Sequence, residues 1–235
     1  MKADEVFWSR VLASQLRLRL EQSPTFRRED FIVSQTNADA VRAVDAWPNW
    51  RGGALALIGP AGAGKSHLAA VWAEQAGAQV PGEDDVRDPA RLEGRPVLLE
   101  DADRWNRDEV LFHLINIAAR PGGGLLLTAR TPPSTWRAAL PDLRSRLNAL
   151  PVAALEEPDD AVLAGILTTL LRERHIRPTD DLIPYLVRRM ERSAEAAQTI
   201  VAKLDDAAAP EHRAVNRNLA RQVLDFAFDD DKLLE

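Results

Sequence analysis

The chain has 235 residues, 46% of them hydrophobic and 28% charged, the balance of a globular protein with one large domain or two small ones. It contains no cysteine, which excludes disulfides, thiolate metal sites and a catalytic thiol. The net charge of −6 argues against strong direct DNA binding, which needs a basic surface, and the four histidines, His67, His113, His175 and His212, fall in no metal-ligand spacing.

Residues 1–24 read as a tail in which charges alternate with apolar residues, closed by Ser23-Pro24. They lack the apolar stretch of a signal peptide. No run in the chain approaches the ~18 apolar residues of a membrane span, so a cytoplasmic location without membrane contact is expected. Residues 25–152 read as an α/β domain. Ala54-Leu55-Ala56-Leu57-Ile58 is a buried parallel strand bounded by Gly52-Gly53 and Gly59-Pro60. Leu68, Val71, Trp72 and Gln75 follow at helical spacing, and Gly77 ends the helix. The stretch from Gln79 to Arg95 reads mostly as loop. Val97-Leu98-Leu99 is a second strand ending in Glu100-Asp101. A helix follows, with Val110, Leu111, Leu114, Ile115 and Ala118 on one face. Gly124-Leu125-Leu126-Leu127 is a third strand, ending in Thr128. Alternating strands and helices predict a parallel sheet flanked by helices. After Pro151 the strands are expected to stop, and residues 153–235 read as a small all-helical domain. Its helices are marked by Val162, Ile166 and Leu170, by Leu182, Leu186 and Met190 with Thr179 as N-cap, by Ala197, Ile200, Val201 and Leu204, and by Leu219, Val223 and Leu224 with Asn216 or Asn218 as N-cap.

Gly59-Pro60-Ala61-Gly62-Ala63-Gly64-Lys65-Ser66 fits the phosphate-loop pattern at every fixed position, between a strand and a helix as the pattern requires. The glycines let backbone N–H groups turn inward onto phosphate oxygens, and the helix N-terminus adds its positive dipole. Lys65 is the only lysine between Lys2 and Lys203. It would sit on the β- and γ-phosphates of ADP or ATP, with the Ser66 hydroxyl on Mg²⁺. The second strand brings acids to the carboxyl edge of the sheet, where ligands bind. In one register Glu100 holds the Mg²⁺ shell and Asp101 positions the attacking water. In the other Asp101 is the metal residue and Ala102 leaves no base. Either register predicts weak hydrolysis. Thr128 can hydrogen-bond the γ-phosphate or its water, or be a strand-end residue satisfied by backbone. Arg144 and Arg146 read from the residues alone as surface arginines or as a transition-state arginine reaching a neighbouring nucleotide.

Gly64-Lys65-Ser66-His67-Leu68 resembles the DnaA-like, replication-initiator branch of the AAA+ ATPases. Other segments line up in the same order. Asp30-Phe31-Ile32-Val33 with Asn37 resembles the segment lining the adenine pocket, which implies nucleotide contacts for Phe31, Val33, Asn37 and His67. Leu126-Leu127-Thr128 with Pro132-Pro133 resembles the first sensor strand, and Pro141–Leu147 resembles the box carrying an arginine finger, at Arg146. The likeness runs from about Phe26 to Leu224. Where the family has a lid-helix arginine on the γ-phosphate, this sequence has Glu195, which would repel it. No DNA-binding domain fits in the ten or so residues after Leu224.

Gln15-Leu16-Arg17-Leu18-Arg19-Leu20 resembles the short motif that binds the bacterial β sliding clamp. Leu16, Leu18 and Leu20 share one side of an extended segment and can enter an apolar groove while Gln15 bonds at its rim. In isolation the same six residues read more readily as an ordinary edge strand or helix turn. Tail and module together are similar to the Hda group of DnaA inactivators. That resemblance implies a regulator of replication initiation, nucleotide-bound, docked on the clamp at the nucleoid, homodimeric, and acting on DnaA through Arg146. The alternative is a helicase-loading ATPase of the DnaC and IstB kind.

Overall fold

The computed structural model describes residues 26–208 and 214–231. A short turn at Arg28–Asp30 leads to α1 (Ala38–Asp45), β1 (Ala54–Ile58), α2 (Lys65–Ala76), α3 (Glu83–Arg87) and β2 (Pro96–Leu99). Then come α4 (Asp108–Ala118), β3 (Gly124–Ala129), α5 (Pro141–Ala149) and β4 (Val152–Ala154). The strands are all parallel, in the order β2-β3-β1-β4.

These strands read as unbroken apolar runs because helices cover both faces of the sheet. Period-two alternation then divides them. Ala54, Ala56, Val97, Leu99, Leu125 and Leu127 pack against Leu111 and Leu114 of α4 and Leu143 and Leu147 of α5. Leu55, Leu57, Leu98 and Leu126 pack on the other face against Val41 and Val44 of α1 and Leu68 and Trp72 of α2. Trp50 stacks on Trp72 at 5.2 Å between ring centroids, and Trp136 is buried with its indole N–H donated to the Thr131 carbonyl. The tryptophans described thus serve mainly the core; Trp8 lies outside the described residues.

Two expectations need correction. Strands do not stop at Pro151: β4 pairs with β1 through Ala56–Val152, Leu57–Ala153 and Ile58–Ala154, and the Leu155 N–H donates to the Ile58 carbonyl at 2.8 Å. A three-residue strand with a single buried member is too short to carry a periodic signal, and the expected domain division after residue 152 falls inside it. The stretch from Gln79 to Arg95 is not mostly loop either. It contains α3, a 3₁₀ turn at Pro89–Leu92, and a parallel bridge from Gln79 to Val97 that covers the outer edge of β2.

The helical part comprises α6 (Asp160–Glu173), α7 (Leu182–Val187), α8 (Ala194–Ala208) and α9 (Arg217–Asp231). Leu163, Leu167, Leu182, Leu186, Val201, Leu204, Leu219 and Val223 form its own core. Asp159 caps α6, accepting the Val162 N–H at 2.8 Å. Ser193 accepts the Ala196 N–H at the start of α8, and Asn216 accepts from Asn218 and Leu219. Thr179 caps nothing with its side chain; its carbonyl accepts the Leu182 N–H, and past the end of α7 the Arg189 and Met190 N–H groups both donate to the Leu186 carbonyl. No helix among the described residues is long and apolar enough to cross a membrane.

Candidate phosphate-binding site

β1 ends at Ile58, and the loop from Gly59 to Gly64 carries the chain into α2. Gly62 and Gly64 have φ of 73° and 94°, a region costly for other residues. Neighbours also press on both. A Cβ on Gly62 would lie 2.4 Å from that of Ser193, and one on Gly64 3.3 Å from the Phe31 ring. At the start of α2 the N–H groups of Lys65, Ser66 and His67 find no acceptor among the described residues. They are the orphan donors of a helix N-terminus, where the dipole favours an anion.

Lys65 is 9% exposed. Its ammonium donates to the Gly59 and Pro60 carbonyls at 2.8 and 2.7 Å, so it lies across the loop. Burial holds its pKa below the usual lysine value, helped by the Arg130 charge and opposed by Asp101 and Asp103. A phosphate brought here would act in the opposite direction, favouring the protonated form. The Ser66 hydroxyl is exposed at the first turn of α2, and Pro60 and Ala63 complete the loop.

The acids are arranged differently from the sequence expectation. Glu100, expected on the metal, lies beyond the last paired residue of β2 in solvent and is not among the charges acting on Lys65. At Asp101 the backbone turns left-handed, φ 49°, and its N–H donates to the Thr128 hydroxyl at 3.1 Å. Thr128, 2% exposed, thereby ties β3 to the exit of β2. Asp103 carries no mark in the sequence pattern. Its Oδ2 accepts the Arg130 N–H at 3.0 Å, and its Oδ1 is buried without a partner. The 3₁₀ turn at Ala102–Arg104 brings it back toward the loop, and nothing in a strand-end pattern announces that turn. The acids whose charges act on Lys65 are therefore Asp101 and Asp103. Among the described residues no three His, Cys, Asp or Glu side chains converge as a metal site. The donor set here suits a hard cation that takes the rest of its oxygens from a bound phosphate and water.

Phe31 and His67 come together at the loop, ring centroids 5.3 Å apart and edge to face, and a ring nitrogen of His67 meets the Arg27 carbonyl at 2.8 Å. Val33 is 51% exposed. Asn37 is buried, but both ends of its amide are engaged: Oδ1 accepts the Ser34 N–H and Nδ2 donates to the Ile32 carbonyl, each at 2.9 Å. These bonds shape the Ile32–Asn37 turn and leave one N–H and one oxygen lone pair of the amide unassigned. Ile32 fills the space a side chain at Gly165 of α6 would need, so this segment bridges loop and helical part.

The two arginines of α5 diverge. Arg144 is half-buried and donates to the Trp136 and Ser134 carbonyls at 2.6 and 3.4 Å. Arg146 is exposed, and no hydrogen bond or ion pair engages it among the described residues. Its helix packs on the sheet face opposite α2. Glu195 is exposed in the first turn of α8. Arg192 is bound away from the loop, to the Pro158 carbonyl and the Asp160 carboxylate. Ser193, which the sequence pattern does not mark either, is buried against Gly62, whose carbonyl accepts the Ala194 N–H at 3.3 Å. Gln15, Leu16, Leu18 and Leu20 lie outside the described residues.

No family model and no curated protein matches the sequence. Solved structures do match the fold. Domain III of the Thermotoga maritima replication initiation protein DnaA aligns with 86% of this chain and 97% of its own, at 19% identity and a TM-score of 0.71. AMPPCP-bound DnaA from Aquifex aeolicus aligns with 80% of this chain and 67% of its own, at 19% identity and 0.63. Thermotoga maritima RuvB aligns with 86% of this chain and 72% of its own, at 17% identity and 0.67. The chain shares the fold of these structures: a parallel α/β sheet with its loop at the end of β1, followed by a helical part.

Proposed function

We propose that the chain is a nucleotide-bound regulator of replication initiation of the Hda kind. Its loop binds ADP or ATP, its N-terminal segment docks on the DNA-loaded β sliding clamp, and Arg146 reaches ATP held by DnaA, which hydrolyses it and loses initiating activity. The observation that carries this reading is the contrast on α5, where Arg144 is tied to its own chain and Arg146 is left unengaged on the face away from α2. An arginine finger must be free to enter another molecule's site. The loop geometry, and the ATP analogue bound in a DnaA of the same fold, support the nucleotide.

In this reading Lys65 places its charge on the β- and γ-phosphates, the α2 N–H groups hold phosphate oxygens, and Phe31 and His67 border the site. Mg²⁺, when bound, neutralises phosphate charge; Ser66 and Asp101 are the residues to hold it. Glu195 in the first turn of α8 makes intrinsic turnover slow. Nucleotides at subunit interfaces in AAA+ modules favour a homodimer.

The test is single-turnover hydrolysis of DnaA-bound ATP, with and without this chain and DNA-loaded clamp. Acceleration is expected only with both. Replacing Gln15, Leu16, Leu18 and Leu20 by alanine should abolish clamp pull-down and leave the thermal melt unchanged. No acceleration under any of these conditions, together with intrinsic turnover of about 1 s⁻¹ or more, would replace this reading by the helicase-loading ATPase.

A further inference from the structure

Tyr185 is the only tyrosine of the chain, on α7, with its side chain largely buried. Two guanidinium groups lie over its ring: Cζ of Arg189 is 4.3 Å and that of Arg217 5.0 Å from the centroid. Arg221 stands one turn after Arg217 on the same face of α9. With Asn218 these residues line a pocket of about 420 Å³.

Among the residues whose side chains are described, no carboxylate pairs with Arg189, Arg217 or Arg221. Other arginines do find acids, as in Arg28–Asp45 and Arg192–Asp160. Three like charges in one concavity repel each other, and the Tyr185 ring offsets that for only two of them. The backbone N–H groups of Asn218 and Leu219 are already taken by the Asn216 cap, so the donors on offer are the side chains.

We propose that this pocket binds a compact oligophosphate, a small molecule with two or more adjacent phosphate groups, at a site separate from the loop at Lys65. The guanidinium fork matches phosphate oxygens two at a time, and the Asn218 amide adds a neutral donor. Small-molecule pockets are usually lined by apolar side chains; this one is lined by three cations, an amide and a phenol, so its ligand is hydrophilic throughout. A nucleic-acid strand needs a basic track that continues past the pocket, and a chain of net charge −6 favours a ligand contained within it.

The experiment places fluorotyrosine at the single tyrosine and follows its one ¹⁹F resonance while inorganic tripolyphosphate is added to the full chain. A saturable shift is expected in the wild type and equally in Lys65→Ala. Arg217→Gln with Arg221→Gln should weaken it about tenfold or more. Asn218→Asp, a single exposed change that adds a negative charge, should weaken it in the same direction. A short single-stranded oligonucleotide should bind more weakly than tripolyphosphate. The proposal is overturned by no saturable shift up to about 10 mM, weaker than a marginal millimolar site. It is also overturned by a shift that the arginine and Asn218 variants retain, by one lost in Lys65→Ala, or by an oligonucleotide that binds as tightly.

Discussion

The loop between β1 and α2 and the outer helix α5 each present a cation, and the fold treats the two in opposite ways. Lys65 is buried, bonded to two carbonyls of its own loop and held below the usual lysine pKa by that burial. Arg146 is exposed and unengaged among the described residues, one turn after Leu143 and next to Leu147, which anchor its helix in the core. Arg144, two residues before it, fastens the same helix to the Ser134–Trp136 turn. A cation meant for a ligand of its own chain is best held ready inside the fold. One meant for another molecule needs a rigid mount and a free end.

The sharpest way to break this comparison is the pair on α5. Arg146→Ala should lower stimulated hydrolysis on DnaA by about 10³–10⁵ while leaving nucleotide binding and the melt unchanged. Arg146→Lys should also fail, since a compact ammonium cannot reproduce the planar fork. Arg144→Ala should do the reverse, costing about 1–2 kcal/mol of stability through its two carbonyl contacts and retaining most stimulation. If the two variants exchange phenotypes, the contrast on α5 has been assigned to the wrong residue.

On the loop side, Lys65→Ala should remove measurable ADP and ATP binding in calorimetry. The pH dependence sharpens the point. With the folded pKa below 10.5, the ammonium that phosphate needs is lost earlier than on an exposed lysine, so ADP affinity should fall as pH rises toward that value. Between the folded and unfolded pKa the unfolded chain binds more protons, so the Lys65 contribution to stability rises with pH there. ADP affinity that stays flat to pH 10.5 would remove the buried lysine from the site.

Gly62→Ala tests how closely loop and helical part are joined. With φ at 73° and a Cβ 2.4 Å from that of Ser193, it should cost about 1–3 kcal/mol in thermal unfolding. Gly77→Ala shares the left-handed backbone, φ 62°, but meets nothing within 4 Å. It should cost less; equal losses would mean the Ser193 contact contributes nothing.

The smallest effect is expected at Asp159. Chiefly the Val162 N–H holds its pKa below 3.8, with the Ser34 hydroxyl assisting and partial burial opposing. A depressed folded pKa gives stability that is present above the unfolded value and lost as pH falls through the folded one. Asp159→Ala should cost about 1 kcal/mol at neutral pH. Its melting temperature should converge with that of the wild type in acid; a constant difference down to pH 3 would assign the loss to something other than the carboxylate.

Sequence alone determined the parts whose chemistry is local. The loop from Gly59 to Ser66 is legible because phosphate binding requires glycines, a lysine and a helix start at fixed spacing, and β1, β2 and β3 are legible because strands covered on both faces must be apolar throughout. The cap at Asn216 belongs to the same class. What only the tertiary structure decided rests on residues far apart in the chain. Asp103 joins the site because a 3₁₀ turn carries it to Arg130, and Ser193 because α8 begins against Gly62. Asn37 is held by two bonds within its own turn, and Thr128 is tied to β2 by the N–H of Asp101. β4 exists because β1 offers it an edge, not because three residues favour a strand. Arg144 and Arg146 carry the same side chain two positions apart. Their different fates follow from which side of α5 faces the Ser134–Trp136 turn and which faces water, and packing alone sets that.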